Sequence, residues 1–198
     1  MNFLYISTNA ISNLTPIQMA KYAGKYRIES NRWQYWDYSA PANYFITVFV
    51  NRQCVLGTID GGSMHLSALG KIVAEEIQQI PTYHHRVVLD EWVVMPNHIH
   101  LIITLEDFDE RVETIHELSL QEYQKLRRQM LIPKIMGKLK MQTSKQINFQ
   151  RNTPNTKNWQ PNFHDHVIRN EKSYYRIKKY IINNPKNWGD DTFYNDPL

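Results

Sequence analysis

The stretch VVMPNHIHLIITL, residues 93–105, places the pair Pro96-Asn97 between two runs of apolar residues. Proline and asparagine suit a tight turn and fit poorly inside a strand ladder. Together with the preceding HRVVLDEW, residues 85–92, the stretch therefore predicts a β-hairpin. His98 and His100 stand near the start of its second strand.

These two histidines are two positions apart in the predicted strand, so both side chains project from the same face. Ile99, Leu101 and Ile103 project from the other face, where they can build a core. Two neutral imidazoles on one face can share a divalent metal ion, but a catalytic site needs a further ligand and an open position. From the spacing alone, a metal site and a pair of ordinary buried or surface histidines are both open.

Short elements of alternating type surround the hairpin. Residues 44–54, rich in β-branched and aromatic side chains, and residues 161–170 are predicted as strands. Apolar residues recur at helical spacing in residues 66–81, where Pro81 is expected to end the helix, and in residues 133–150 and 171–185. The order predicts an α+β fold, an antiparallel sheet with helices on one face, in preference to a doubly wound parallel sheet.

Composition narrows the class of protein. A chain of 198 residues is long enough for one domain with a sizeable core. Its single cysteine, Cys54, excludes an internal disulfide framework and a cysteine-rich zinc site. We find neither a signal peptide nor an apolar run near the ~18 residues of a membrane span, so we expect a soluble cytoplasmic protein with no membrane partner. The net charge of +4 favours a polyanionic partner without deciding the question.

Two segments are predicted to lie outside the compact part of the domain at residues 41–198. Residues 1–40 lack a clean period and are interpreted as a basic and aromatic arm. Residues 106–132 are strongly charged and are interpreted as an insertion. A capping-box pattern at Ser119 and Glu122 predicts a short helix within the insertion.

Basic and aromatic side chains of the arm, and lysines of the helix over residues 133–150, are candidate nucleic-acid contacts. Lysine and arginine can contact phosphates while aromatic rings stack on bases. The alternatives are rings that pack on their own domain and an ordinary solvated helix face. The candidates are Lys21, Lys25, Arg27, Arg32, Trp33, Lys134, Lys138 and Lys145.

The run VVMPNHIHLII, with its His-hydrophobic-His core, resembles the HUH motif of single-tyrosine transposases, especially the REP-associated tyrosine transposases (RAYT) and their insertion-sequence relatives. The resemblance extends to YRIESNRWQYWDYSAPANYFITVFVNRQ, LGKIVAEEIQQIP and WQPNFHDHVIRNEKSYYRIKKYIINNP. It covers most of residues 26–105 and 133–188. It implies a ferredoxin-like, HUH-type antiparallel sheet with helices packed mainly on one face.

The resemblance also implies a site. A catalytic tyrosine is expected on a helix near the C-terminal end, and Tyr180 stands at the matching position. Asn184, four residues later, matches the position of a polar third metal ligand beside His98 and His100, and Mg²⁺ or Mn²⁺ is the implied metal. Residues i and i+4 share one helix face, so a single helix could deliver both side chains.

Rival assignments exist for these residues. Tyr174 and Tyr175 lie in the same helix, but lysines stand four residues after them. Asn184 precedes a proline and also suits a helix cap. A second His-x-His pair, His164 and His166, is interpreted as structural or substrate-contacting rather than metal-binding.

The implied activity is cleavage and rejoining of hairpin-containing single-stranded DNA through a covalent 5′-phosphotyrosine, in DNA transposition and recombination or on repeated palindromic elements. A nucleoid-associated location follows from such a role. The alternative is a non-catalytic nucleic-acid-binding domain derived from a transposase. A mobile-element and a domesticated role are both open, as are a monomer and a homodimer whose tyrosine helix serves the partner's histidines.

Overall fold

The computed structural model describes residues 36–51, 53–107 and 129–190, and the backbone of residues 21–22 and 25–26. The predicted helix at Ser119 and Glu122, most of the predicted insertion and most of the predicted arm lie outside the described residues. Among the described residues, no helix is long and apolar enough to cross a membrane.

Four strands form the central sheet. They are β3 (Ala42–Phe49), β6 (Val87–Val94), β7 (His98–Leu105) and β8 (His164–Ile168). Their order is β6-β7-β3-β8, and every neighbouring pair is antiparallel. The predicted hairpin of β6 and β7 is confirmed.

Four shorter strands form two small ladders. β1 (Lys21–Tyr22) pairs with β2 (Lys25–Tyr26), and β4 (Gly57–Asp60) pairs with β5 (Ser63–Leu66). The second ladder was not predicted from the sequence.

Four α-helices lie wholly within the described residues. They are α1 (Ala68–Gln78), α2 (Ile80–Tyr83), α3 (Leu131–Arg151) and α4 (Glu171–Asn183), and a short 3-10 helix follows at Trp188–Asp190. We predicted that Pro81 ends a helix, but it lies in the first turn of a second helix, α2. Proline is tolerated there because its missing backbone N–H removes no helical hydrogen bond.

The connections define the fold class. α1 joins β3 to β6, and α3 leads from β7 to β8; in each case one antiparallel strand lies between the two strands that are joined. Two such split β-α-β units make a ferredoxin-like sheet. The predicted α+β class and antiparallel sheet are therefore confirmed.

The two faces of the sheet bury different cores. On one face, Ile46, Leu101 and neighbouring residues pack with Val73 of α1 and Leu139 of α3. On the other face, a smaller cluster joins the sheet to α4 and consists of Ile102, Ile168, Tyr174, Ile177 and Ile181. Most helical packing is thus on one face, as predicted, but α4 covers the opposite face, from which the two histidines project.

Part of the predicted arm belongs to the folded domain. Tyr38 is fully buried in the larger core, and its carbonyl accepts a hydrogen bond from the N–H of Ile132 at the start of α3. Its ring lies 6.0 Å from that of Tyr44.

Candidate active site

His98 and His100 face each other beneath α4. Both come from β7, and their side chains are 0% and 1% exposed. The two Nε2 atoms are 3.0 Å apart. The turn before them is fixed to the sheet, because Val50 N–H donates to the carbonyl of Asn97 and Leu56 N–H donates to that of Pro96.

A polar group holds the Nδ1 atom of each histidine. Nδ1 of His98 lies 2.7 Å from the Asn97 side-chain oxygen, which can only accept, so Nδ1 carries the proton and the Nε2 lone pair of a neutral ring points at His100. Nδ1 of His100 lies 2.8 Å from the hydroxyl of Thr47, its partner in the β3 register. Such contacts orient an imidazole and direct its second nitrogen toward a ligand.

Burial lowers the pKa of His100 well below its usual range, and the neighbouring His98 lowers it further. The His100 ring is therefore neutral near pH 7. A neutral imidazole has a lone pair on one nitrogen, which is the form that accepts a proton or binds a metal ion.

Tyr180 of α4 completes the contact with the histidine pair. Its hydroxyl lies 3.2 Å from Nε2 of His100, and the two rings meet edge to face with centroids 5.3 Å apart. The ring of Phe45 contacts both. Tyr180 as a whole is 39% exposed, whereas the two histidines are buried.

Asn184 and Trp188 follow Tyr180 at intervals of four residues in the C-terminal segment. Asn184 is buried at the C-cap of α4, where its backbone N–H donates to the carbonyl of Ile181. The helix-cap role, which the sequence left as an alternative for Asn184, is therefore observed. The ring of Trp188 lies 6.0 Å from that of His98. Tyr180 and Trp188 thus flank the histidine pair, and Asn184 lies midway between them in the sequence.

The residues present fit a divalent metal ion. Among the described residues there is no cluster of three or more His, Cys, Asp or Glu side chains, so the nitrogen donors that we find here are the two imidazoles. Two nitrogens bound at a right angle to one ion at ~2.1 Å would be about 3.0 Å apart. The Nε2 atoms of His98 and His100 have this separation.

The two rival tyrosines are placed differently. Tyr174 is buried, its hydroxyl donates to Asp90, and burial raises its pKa above its usual range. Tyr175 is 57% exposed and packs edge to face on Tyr174. Of these three tyrosines of α4, Tyr180 is the one that we find hydrogen-bonded to the histidine pair.

The second histidine pair lies near the first without joining it. His164 and His166 are exposed on β8, opposite Thr47 and Phe45 of β3. Strand β3 therefore separates them from β7. The ring of His164 meets that of Phe49 edge to face at 5.8 Å.

Three of the candidate nucleic-acid contacts lie within the described residues, and all three are on α3. Lys134 and Lys145 are exposed on α3, which covers the face of the sheet opposite the histidines. Lys138, on the same helix, places Nζ 3.4 Å from the ring centroid of Tyr83. The other five candidates have side chains outside the described residues, namely Lys21, Lys25, Arg27, Arg32 and Trp33.

Three residues of the site were missed in the sequence. Asn97 was recognised only as a turn residue, although its position beside His98 was a signal. Thr47 is a polar residue on an otherwise aromatic strand face between Phe45 and Phe49, which marks it but does not identify its partner. Trp188 lies beyond the predicted helix and carried no local signal.

Fold and site together define a class, an α+β protein whose ferredoxin-like sheet holds a histidine pair against a tyrosine-bearing helix. No family model matches the chain. A protein of Haemophilus influenzae described as uncharacterized is 32% identical to it over 176 residues, which are 88% of this chain and 97% of that protein. The chain belongs to the same family as this protein.

Two solved structures are also similar. A REP-associated tyrosine transposase bound to a REP hairpin is 23% identical, with a TM-score of 0.48, and the match covers 80% of this chain and 75% of that one. A candidate transposase of Deinococcus radiodurans is 14% identical, with a TM-score of 0.42, over 79% and 97% of the two chains.

Proposed function

We propose that the protein is a metal-dependent single-stranded DNA endonuclease and strand transferase of the HUH single-tyrosine type. One observation carries the proposal: the hydroxyl of the partly exposed Tyr180 lies 3.2 Å from Nε2 of His100, which itself faces the buried His98. A candidate nucleophile beside two fixed, buried nitrogen donors is an arrangement suited to phosphoryl transfer.

In the proposed reaction, the Tyr180 oxygen attacks a phosphorus atom of the DNA backbone. A bond forms between this oxygen and phosphorus, and the bond from phosphorus to the 3′ oxygen breaks. The products are a 5′-phosphotyrosine and a free 3′-hydroxyl, which can reverse the step on another DNA end. A phenol with a pKa near ~10 must lose its proton during attack. Because the histidine nitrogens act as metal ligands in this proposal, the phenol proton passes to water, and the leaving 3′ oxygen takes up a proton from water to become the hydroxyl.

His98, His100 and Asn184 would hold Mg²⁺ or Mn²⁺, with two imidazole nitrogens and an amide oxygen as donors. When bound, the ion supplies polarisation of a non-bridging phosphate oxygen and stabilisation of the charge that develops there. Thr47 and Asn97 keep the two rings oriented, and burial keeps His100 neutral and available as a ligand.

The proposed substrate is single-stranded DNA that folds into a hairpin, as in transposition or at repeated palindromic elements. The sequence resemblance supports it, and the similar REP-associated transposase is itself bound to a REP hairpin. In this structure α4 contacts the histidines of its own chain, an arrangement compatible with a working monomer.

The test uses hairpin-containing oligonucleotides labelled at either end, incubated with Mg²⁺ or Mn²⁺ and separated on a denaturing gel. With a 3′ label, the wild-type protein should acquire the label; with a 5′ label, a shortened free strand should appear. Tyr180→Phe and His98→Ala should abolish both products. Tyr175→Phe is the matched control, because it removes an exposed hydroxyl from the same helix.

An adduct that persists in Tyr180→Phe would overturn the nucleophile assignment. Tight hairpin binding without cleavage of any tested sequence would favour the alternative, a non-catalytic nucleic-acid-binding domain.

A further inference from the structure

A wide groove lies on the opposite face of the domain from Tyr180, between the C-terminal half of α3 and the loop of residues 152–162. It encloses about 1450 Å³. Asn152, with φ of 50°, ends α3 and turns the chain back along the helix. The loop is held in place because Asn148 donates to the carbonyl of Thr156 and Asn158 donates to Asn148.

Most of the surface of this groove is apolar, but the residues around it include lysines and many amides. Among the described residues, those that line it include three lysines and no acidic residue, and nine of the twenty are asparagine or glutamine. Lys140 is engaged by the carbonyls of Gln160 and Asn162, whereas Lys145 and Lys157 are exposed. This charge is complementary to phosphates, and side-chain amides can donate to and accept from the edges of bases.

Phe149 is the most exposed large apolar residue that we find in the described chain. Its side chain is 89% exposed, one turn after Lys145 on the outer face of α3. Met141, one turn before Lys145, is 61% exposed. A ring in this position can stack on a nucleic-acid base, a contact that tolerates any base sequence.

The groove leads to the end of the sheet that carries the histidine pair. Val50 pairs with Trp159 of the groove, and the N–H of Gln160 donates to the carbonyl of Phe49 at 2.9 Å. The ring of Phe49 in turn lies 5.5 Å from that of His98. A single DNA strand that leaves the candidate active site at this end of the sheet could therefore continue into the groove.

We propose that this groove binds the unpaired single-stranded DNA that flanks the hairpin. Phe149 stacks on a base, Lys145 and Lys157 contact phosphates, and the amides contact base edges. An unpaired strand fits better than a duplex, because only an unstacked base exposes a face to the ring. This inference rests on the proposed function, since it places the flank of that substrate.

The test compares two oligonucleotides by fluorescence anisotropy, one hairpin with about eight unpaired nucleotides at each end and the same hairpin without them. All proteins carry Tyr180→Phe, so that covalent chemistry does not contribute. Adding Phe149→Ala should weaken binding of the flanked hairpin about tenfold and leave the other unchanged. Phe149→Trp should keep the affinity, and Tyr175→Ala is the control for losing an exposed aromatic ring elsewhere.

Lys145→Gln tests the phosphate contact separately. It should weaken binding of the flanked hairpin and reduce its salt dependence by about one phosphate contact. Equal binding of the flanked hairpin by Phe149→Ala and its parent, or an equal loss on both oligonucleotides, would overturn the inference.

The labelled-adduct assay separates this inference from the proposed function. If the protein with Tyr180 intact forms the adduct but Phe149→Ala does not change binding of the flanked hairpin, the groove proposal alone is wrong. If the protein with Tyr180 intact forms no adduct but Phe149→Ala weakens binding of the flanked hairpin, the groove proposal is supported and the nuclease proposal alone is wrong.

Discussion

The hydroxyl of Thr47 illustrates how a single side chain can prepare the histidine pair. It is buried, 2.8 Å from Nδ1 of His100, and can donate or accept. When His100 carries its proton on Nδ1, the hydroxyl accepts and Nε2 is open to a metal ion. When the proton is on Nε2, the hydroxyl donates and Nε2–H can point to His98. Asn97, in contrast, supports one tautomer of His98.

We predict that Thr47→Val weakens Mn²⁺ binding by about 10–100-fold, because the ring of His100 loses the contact that orients it. Valine keeps nearly the shape of threonine, so packing is largely preserved. Isothermal titration with Mn²⁺ measures the affinity. Thr47→Ser keeps the hydroxyl and should bind like the wild type; wild-type affinity in Thr47→Val would show that Thr47 does not orient the ligand.

The same residues show what local sequence can predict. Strand alternation correctly placed His98 and His100 on one face, because that face depends only on neighbouring residues. The contact between Thr47 and His100 could not be predicted, since it depends on the register between β3 and β7. That register is set by the packing of the whole sheet.

At the scale of elements, a β-bulge in β6 carries a carboxylate that hydrogen-bonds to α4. The register shifts between Leu89 and Trp92, and both residues pack against the larger core. Asp90, inside the bulge, accepts hydrogen bonds from the hydroxyl of Tyr174 and from Lys178 at 2.5 Å. These two residues are i and i+4 on α4, so one carboxylate contacts a full helical turn.

We predict that Asp90→Ala lowers the free energy of unfolding by about 1–3 kcal/mol, because the part-buried hydroxyl of Tyr174 loses its acceptor. Most of this loss should come from the tyrosine, since the partly exposed ion pair with Lys178 is screened by solvent. Urea unfolding measures the change. Adduct formation should also slow, because Tyr180 is carried by the same helix.

Glu91→Ala is the matched control for this prediction, since it removes the neighbouring carboxylate of the same bulge. Asp90→Asn keeps an acceptor and should be intermediate. A normal adduct rate in Asp90→Ala would show that the apolar cluster of α4 positions Tyr180 by itself.

The bulge had a signal in the sequence, whereas the face on which α4 docks had none. Asp90 and Glu91 interrupt an otherwise apolar run, and the register shifts at this point. The helix over residues 171–185 was predicted from its apolar spacing, and its buried stripe consists of Tyr174, Ile177 and Ile181. A helical stripe shows which side of a helix is buried but not which face of a sheet buries it, so α4 was not expected opposite α1 and α3.

At the scale of the whole molecule, folding buries histidine side chains, His100 almost fully and His84 in part. Burial lowers the pKa of His100 well below its usual range, with a further contribution from His98. The pKa of His84 is also lowered, first by burial and then by Lys138, His85 and Lys134. The folded protein therefore binds fewer protons than the unfolded chain under mildly acidic conditions.

We predict that the free energy of unfolding decreases as the pH falls below about 6.5. In this range these histidines become protonated in the unfolded chain but stay neutral in the folded protein. Each such group contributes a slope of up to about 1.4 kcal/mol per pH unit until its folded pKa is reached. Urea unfolding at pH 7.5, 6.5 and 5.5, with EDTA to remove metal ions, measures the slope. His100→Asn should reduce it by up to one proton, and His84→Asn should reduce it by less, because His84 is only partly buried.

His164→Gln is the control for the loss of a histidine at the surface, because His164 is exposed on the edge strand β8. Added Mn²⁺ should raise stability in the wild type at pH 7.5 and lose this effect at low pH, since protons compete with the ion for the same nitrogens. His98→Ala should remove the Mn²⁺ effect while keeping most of the acid slope from His84 and His100. If His100→Asn retained the full wild-type slope, burial of the histidine pair would not be the origin of the acid sensitivity.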